Sequence, residues 1–559
     1  MADAVPRVRA DSMRRSTPYF SAMLPTFDPF LAFLRYAAAA QSGGDARARA
    51  LWLEAASCLH ATDNASIDGL MLDLLEQQQF EQAVSLVEAV AQLEPHSAAA
   101  NMRLGYAMQM ASRDRDALAP YRRALAIDPA FPQLRKNLAI ALNRTGADPV
   151  QEREMLEAAV AAAPSDLALW LNLMPARRAC FDLEGSLAAA ERAVELDPQS
   201  AIAHGNLAQA LKESQRWDDA LDHANKACAL APGNPSLRTA LGVLHLLRGE
   251  YAQGWPAHEA RWSDPASMLT EGRPLFGRPQ WRGESLKGKT LLVWGEQGMG
   301  DVLQFCRFIP LLAQRVHREG GRIVWNSFAH MGALLPRSFA EHIDAYSVTR
   351  DLESLPMFDF ELPLVSAPLM LDTRVESIPR DVPYLRADAD ARAAWRTRLA
   401  DEKRLKVGLA WTGSVNHGRN RFRRVGLERY ARAFRDLDGV AFYSLQPGAT
   451  ADVDAARAAG LPIADFTHEW RSFDDTAAFV SELDLVISVC TSAAHLAGAL
   501  GQRTWVVLDV NPYWTWMTDR RDSPWYPTAT LYRQRQFGAW QPVMAEVARD
   551  LRALAASGV

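Results

Sequence analysis

The chain has 559 residues, 49% hydrophobic and 23% charged, which is enough for several domains that each bury a full core. Lys plus Arg number 61 against 66 Asp plus Glu, a net of -5, and this argues against nucleic acid as a principal partner. The five cysteines (Cys58, Cys180, Cys228, Cys306 and Cys490) are scattered and form no CxxC, which argues against a disulfide framework and a zinc site, and fits a reducing cytoplasm.

Residues 1–46 read as an N-terminal helical extension. Early Arg and Asp, then Pro25, Asp28 and Pro29, interrupt any apolar run before it reaches signal-peptide or membrane-spanning length, so a cytoplasmic protein with no membrane partner is expected. Residues 47–260 are a repeat array. Prolines recur at 95, 129, 164, 198 and 232, in steps of 34, 35, 34 and 34. Nine residues after each stands Leu104, Leu138, Leu173, Leu207 or Leu241, and the next residue is Gly105, Ala139, Met174, Ala208 or Gly242. Ala83, Ala117, Ser186 and Ala220 lie twelve residues before the prolines, small where two helices cross, while Glu152 departs from the pattern beside one extra residue. Asn137, Asn172 and Asn206 each precede the repeat leucine. Their amides read either as exposed polar positions or as a row able to bond any peptide backbone.

Pro265, Pro274 and Pro279 with Gly272, Gly277 and Gly283 mark a linker over 261–288. Beyond it, strand-length apolar runs begin at Thr290, Arg322, Phe358, Lys406, Val440, Leu483 and Thr504, and alternate with helical or loop segments. The pattern predicts parallel sheets in two Rossmann-like lobes, 289–390 and 391–559, divided by a polar helical stretch from Arg386 to Arg404, with a C-terminal helix on the second.

The stretch TLLVWGEQGMGDVLQFCRFIPLL, Thr290 to Leu312, reads as strand, glycine loop and helix. Asp301 at the helix start and Gln304 three residues on match a capping box, and the alternative is a carboxylate among backbone amides at a ligand-binding strand end. Pro310 predicts a kink. In the second lobe, Trp411, Thr412 and Gly413 end a strand, and His417, Arg419, Arg421, Arg423 and Arg424 follow, either as a solvated basic loop or as a diphosphate site. The run LDLVISVCTSAAHLAGALG then sets Cys490, Thr491 and Ser492 at a helix start, with His495 inside the helix as a packed residue or a site residue. GxSxG, HExxH and GxxxxGK[ST] motifs are missing, and the glycines at 295, 298 and 300 are not the dinucleotide fingerprint.

The proline period and Leu-small pairs resemble the tetratricopeptide repeat over about five units, and the asparagine row is similar to that of O-GlcNAc transferases. GEQGMGDVLQFCRFIP, WTGSVNHGRNRFRR, SVCTSAAHLAGALG and the tail DSPWYPTATLYRQ resemble bacterial repeat-containing glycosyltransferases related to the ADP-heptose heptosyltransferases, of GT-B fold. That resemblance implies an α-helical solenoid followed by an α/β GT-B unit, an inverting, metal-independent transfer from a nucleotide-sugar co-substrate, and no other cofactor. It implies Asp301 as general base. Gly298, Gly300, Trp411, Thr412, Gly413, Arg419, Arg421, Arg423, Arg424, Gln446, Cys490, Thr491, Ser492 and His495 are implied around the donor, and Asn137, Asn172 and Asn206 on a protein acceptor. Flagellin, with a nonulosonic acid donor, is one acceptor this layout implies. The resemblance implies an aspartate, usual in such relatives, where this chain has Cys490, so either the donor differs or activity is reduced. A scaffold whose transferase-like half lacks catalysis, and a glycan- or lipopolysaccharide-directed enzyme, are the alternatives.

Overall fold

The computed structural model describes residues 24–131, 133–146, 148–264, 274, 276–349, 351–415 and 417–557; residues 1–23 of the expected extension and 265–273 of the expected linker lie outside them. The chain divides into two compact units between Ala210 and Leu211.

The first unit is antiparallel helix pairs. Leu24–Ser42 packs on Ala46–Ser57, and then come Asn64–Glu76 with Phe80–Leu93, Ala98–Met110 with Asp114–Ile127, Leu134–Thr145 with Pro149–Ala162, and Leu167–Ala179 with Leu183–Leu196. Each repeat proline falls just past the end of a second helix, where its missing N–H breaks no ladder. The small residues sit at the crossings as expected: a Cβ on Gly105 would come within 2.6 Å of the Tyr121 ring, and Ala83, Ala117 and Ser186 are fully buried. Glu152 is tolerated because the Asn143 side-chain amide donates to its buried carboxylate at 2.9 Å.

A second register was not legible in the sequence. Gln78, Ser112, Gly146, Phe181, Gln215 and Gly249, one in each turn between paired helices, all have φ between 58° and 81°. Four of the six are not glycine, so the usual mark of the left-handed conformation is absent.

The asparagines are half-buried, and each spends its amide inside the array. Asn172 donates to Ala168 O at 2.7 Å, Asn206 reaches Leu171 O in the preceding repeat at 3.2 Å, and Asn137 faces Met102 Sδ at 3.9 Å. Asn206→Ala should therefore lower stability by about 1 kcal/mol through the lost inter-repeat bond, which urea unfolding of the full chain would read.

The second unit begins with the last repeat helices, Trp217–Leu230, Pro235–Arg248 and Tyr251–His258, of which the last two pack directly on the α/β part. The Trp255 indole donates to Thr373 O at 3.1 Å, and the Trp525 indole donates to the Tyr251 hydroxyl at 2.9 Å. Two parallel sheets follow. The first holds β1 (Thr290–Trp294), β2 (Arg322–Asn326), β3 (Ala345–Ser347) and β4 (Phe360–Pro363) in the order β3-β2-β1-β4. The second holds β5 (Leu405–Ala410), β6 (Val440–Ser444), β7 (Ile463–Ala464), β8 (Leu485–Val489), β9 (Thr504–Leu508) and β10 (Ala529–Arg533) in the order β10-β9-β8-β5-β6-β7. Every strand that the sequence predicts is present; β3 and β7 are too short to carry a periodic signal, and β10 lies inside the tail motif.

In each sheet the chain winds outward in one direction and then crosses to the other side, between β1 and β4 in the first and between β5 and β8 in the second. Those crossings open crevices at the carboxyl ends of the strands. Residues 295–300, 411–413 and 490–492 follow β1, β5 and β8, so the fold delivers all three sequence motifs to crevice positions.

Candidate active site

After β1 the chain turns through Gly295, Glu296 and Gln297, the last with φ of 60°, into the short helix Met299–Phe305. Its N-cap is Gly298, and Asp301 occupies the third helical position, where its carboxylate accepts the Gly298 N–H at 3.0 Å. This corrects the predicted capping box by one turn. Gln304 takes no part in it: fully buried, its side-chain oxygen accepts from the Thr515 hydroxyl at 3.0 Å. The chain stops being α-helical at Phe305, makes a tighter turn over Cys306–Phe308 and restarts at Ile309. Pro310 thus sits in the first turn of a new helix, so a break replaces the expected kink and no backbone bond is lost.

The second Asp301 oxygen receives the Tyr513 hydroxyl at 3.1 Å, from the second lobe. Burial pushes the Asp301 pKa up to about 6, against the Gly298 and Tyr513 bonds, which lower it, and the charge of Glu296 adds to the rise. Gly300 presses the same helix onto the helix Ser492–Ala499 that follows β8: a Cβ there would lie 3.3 Å from His495 Cδ2 and 3.6 Å from Ser492 Cα. The helix starts of the two lobes are therefore adjacent, with Asp301 beside the junction.

The four arginines of the second-lobe loop have three different fates. Arg423 is half-buried, lies over Gly413 so closely that any side chain there would collide with it, and donates to Cys490 O at 3.0 Å. Among the described residues no carboxylate stands within ion-pair distance of it. Arg419 instead is held by the buried carboxylates of Glu213 and Asp509, the latter at 2.8 Å, and donates to Asn511 O at 3.0 Å. Its charge is consumed internally, which removes it from the expected donor set. Arg421 and Arg424 are exposed. Removing Arg419 strands two buried carboxylates. Arg419→Met should cost about 3–5 kcal/mol at neutral pH, and the loss should shrink as pH falls, because burial already lifts Asp509 to about 6 and protonation relieves the unpaired charge. Thermal melts at pH 5 and pH 8 read both effects.

Asn420, which no sequence motif singles out, organises the loop after β5. Buried, it accepts the Gly413 N–H at 3.0 Å through its side-chain oxygen and donates to the Thr412 hydroxyl at 3.1 Å, while Gln446 at the end of β6 accepts weakly from the Thr412 N–H at 3.4 Å. Trp411, expected near the donor, is fully buried with its indole bonded to Asp452 at 2.8 Å, and is a core residue. His417 is half-buried beside Arg423 and Arg419, and burial together with those cations lowers its pKa to about 4.

Cys490 is buried, and its sulfur accepts the Trp516 indole N–H at 3.1 Å. Burial raises the thiol pKa and keeps it neutral, where an aspartate would bring charge. His495 is packed too: its ring stacks on Trp516 with centroids 5.3 Å apart, Nδ1 meets the Tyr526 hydroxyl at 2.9 Å, and burial lowers its pKa to about 3. It is an uncharged residue of the interlobe packing and not a donor ligand. Thr491 caps its helix with no side-chain bond to the backbone, and Thr491 and Ser492 remain partly exposed beside Arg423's partner Cys490.

The lobes are clasped by two segments of the second. From 511–516, Tyr513 reaches Asp301 and Thr515 reaches Gln304. From the tail motif, Trp525 and Tyr526 enclose Arg307, whose guanidinium bonds Pro379 O at 3.0 Å, the Tyr384 hydroxyl at 2.8 Å and Trp525 O, with the Tyr384 and Tyr526 rings 4.6 and 4.5 Å away. Its one local mark in the sequence is the run of aromatics Tyr513, Trp514, Trp516, Trp525 and Tyr526, which does not name their partners.

The tetratricopeptide-repeat family model matches residues 70–134 and 182–235. The array is built of tetratricopeptide repeats. This repeat architecture serves protein–protein interaction. Protein FlbA of Caulobacter vibrioides is 27% identical over 479 residues, which cover 81% of this chain and 78% of that protein. Solved structures that match the repeat region in fold include MamA of Desulfovibrio magneticus RS-1 (21% identity, TM-score 0.29, 30% of this chain and 95% of that one). Pseudomonas aeruginosa PilF (16%, TM-score 0.30, 35% and 87%) and a thermophilic TPR protein of Thermus thermophilus (23%, TM-score 0.27, 30% and 92%) are others. Among the described residues no helix is long and apolar enough to cross a membrane, and no group of three or more metal-ligating side chains is assembled.

Proposed function

We propose that the chain is a protein glycosyltransferase in which the tetratricopeptide repeats recruit a protein acceptor and the two-lobed α/β unit moves a sugar from a nucleotide-sugar donor to acceptor hydroxyls. The observation that carries this reading is the carboxylate of Asp301, tuned to about 6 and held by Gly298 and Tyr513, beside the helix start at Ser492. A base of that pKa is ionised at neutral pH yet basic enough to take a hydroxyl proton. The partly exposed Arg423, with no carboxylate of its own, and the N–H groups at Thr491 and Ser492 are suited to the charge on the departing phosphate.

The neutral thiol of Cys490 fits a donor that carries its own carboxylate, because an aspartate there would repel it. Nonulosonic acid donors have that property, and flagellin is one acceptor that the resemblance to such transferases implies. Calorimetry of the full chain with a panel of nucleotide sugars, and the mass of the acceptor from cells with and without the chain, test the reading. No donor binding and no mass difference would sink it. The closed packing of Trp516 on Cys490 favours a second reading, a repeat scaffold that binds a nucleotide sugar without turning it over. Donor binding with an unchanged acceptor mass would select that one.

A further inference from the structure

Two buried ion clusters tie the last repeat helices to the loops of the candidate site. Just after the helix Tyr251–His258, Arg261 is 2% exposed, and its fork binds both oxygens of Glu296, Nε to Oε2 at 3.0 Å and Nη2 to Oε1 at 2.9 Å. Its other contacts include Glu259 at 2.5 Å, the Ser366 hydroxyl at 2.8 Å and His258 O at 3.3 Å, while Val365 N–H donates to Glu296 at 3.1 Å across the β1/β4 crevice. Glu296 lies two residues before Gly298, whose N–H holds Asp301. The second cluster is Glu213, Arg419 and Asp509. Glu213 ends the helix Ala201–Glu213, and Arg419 caps the short helix Asn420–Arg423 that carries both Asn420 and Arg423. Arg419 also bonds Asn511 O, two residues before Tyr513.

We propose that the last repeat helices are part of the transfer site itself. Arg261 is the positioning residue for the loop that carries Asp301, and Glu213 for the two loops that carry Arg423 and Tyr513. Neither touches the reacting atoms. The inference rests on the transferase reading for its purpose, but its geometry is independent of it. A bidentate, fully buried guanidinium–carboxylate pair fixes orientation as well as distance, and the Glu296 turn contains the left-handed Gln297, a conformation that surrounding contacts must hold. A repeat array joined by a plain linker would need neither cluster.

The test uses the full chain, with hydrogen–deuterium exchange and calorimetric binding of inorganic pyrophosphate as the anion probe. Arg261→Met should raise exchange about tenfold over 296–303 and leave 417–424 and pyrophosphate binding unchanged. Glu213→Ala should do the reverse, raising exchange over 417–424 and 509–516 and weakening pyrophosphate about tenfold. Glu213→Gln, which returns an acceptor to Arg419, should recover most of the loss and remains informative if the alanine variant fails to fold. Arg261→Lys, lacking the fork, should not recover. Exchange that rises evenly over the whole unit, or loops that keep wild-type protection, would overturn the proposal. Wild-type protein with no pyrophosphate affinity would remove the role given to Glu213. Local exchange changes in a protein that transfers no sugar would instead retire the transferase reading and leave the positioning intact.

Discussion

Asp301→Asn should lower kcat for sugar transfer by about 10²–10⁴ with little change in donor or acceptor affinity. The amide keeps the volume and still accepts the Gly298 N–H through its oxygen, so the helix start survives while the basicity is gone. Wild-type kcat should rise with pH through about 6, the value to which burial lifts this carboxyl, because only the ionised form takes a proton. Tyr513 donates to the carboxylate and stabilises its charge. Tyr513→Phe should therefore raise the pKa and move the acid limb to higher pH.

The same shift has a cost in stability, with a definite sign. A carboxyl whose folded pKa lies above its unfolded value binds protons more tightly when folded, so ionising it weakens the fold as pH rises from about 4 to 6. Asp301→Asn should thus be neutral at pH 4 and more stable than wild type at pH 7, by roughly 1–2 kcal/mol after allowance for partial exposure. A variant that gains thermal stability while kcat falls by that factor would mark Asp301 as held for function. A variant that loses both would mark it as a helix cap.

How much of this was legible in the sequence follows from the range of each interaction. Proline period, Leu-small pairs and apolar runs are local patterns, and they gave the array and the long strands of both sheets. The left-handed turn residues escaped because Gln78, Ser112, Phe181 and Gln215 do not advertise that conformation. The loop arginines looked alike along the chain; only the fold separates Arg419, whose partners lie 206 and 90 residues away, from Arg423, which rests on Gly413. Trp411 and His495 stand beside site residues in sequence but turn into the packing, since alternate positions on a strand end or helix face opposite ways. Tyr513, Asn420, Arg261 and Arg307 act through contacts that no spacing rule reaches.

Arg423 is the second position where a large loss is expected. Arg423→Met should lower kcat/KM for the nucleotide-sugar donor by about 10²–10³, the effect of removing one preorganised donor aimed at developing charge. Arg421→Met and Arg424→Met, which remove exposed side chains, should change it less than threefold at physiological salt, where screening blunts distant charges. Gly413→Ala supplies an independent route to the same site. Its new Cβ would occupy the space of the Arg423 guanidinium, so the cation must swing away while Asn420, Gln446 and the end of β5 keep their bonds to the loop. Gly413→Ala and Arg423→Met should then share one phenotype, a lowered kcat/KM carried mainly by kcat with a near-normal melting temperature, and the double variant should be no worse than either single. Equal effects from all three loop arginines would mean that the loop acts only as diffuse positive charge, and additive losses in the double variant would mean that Gly413 serves the donor by some other contact.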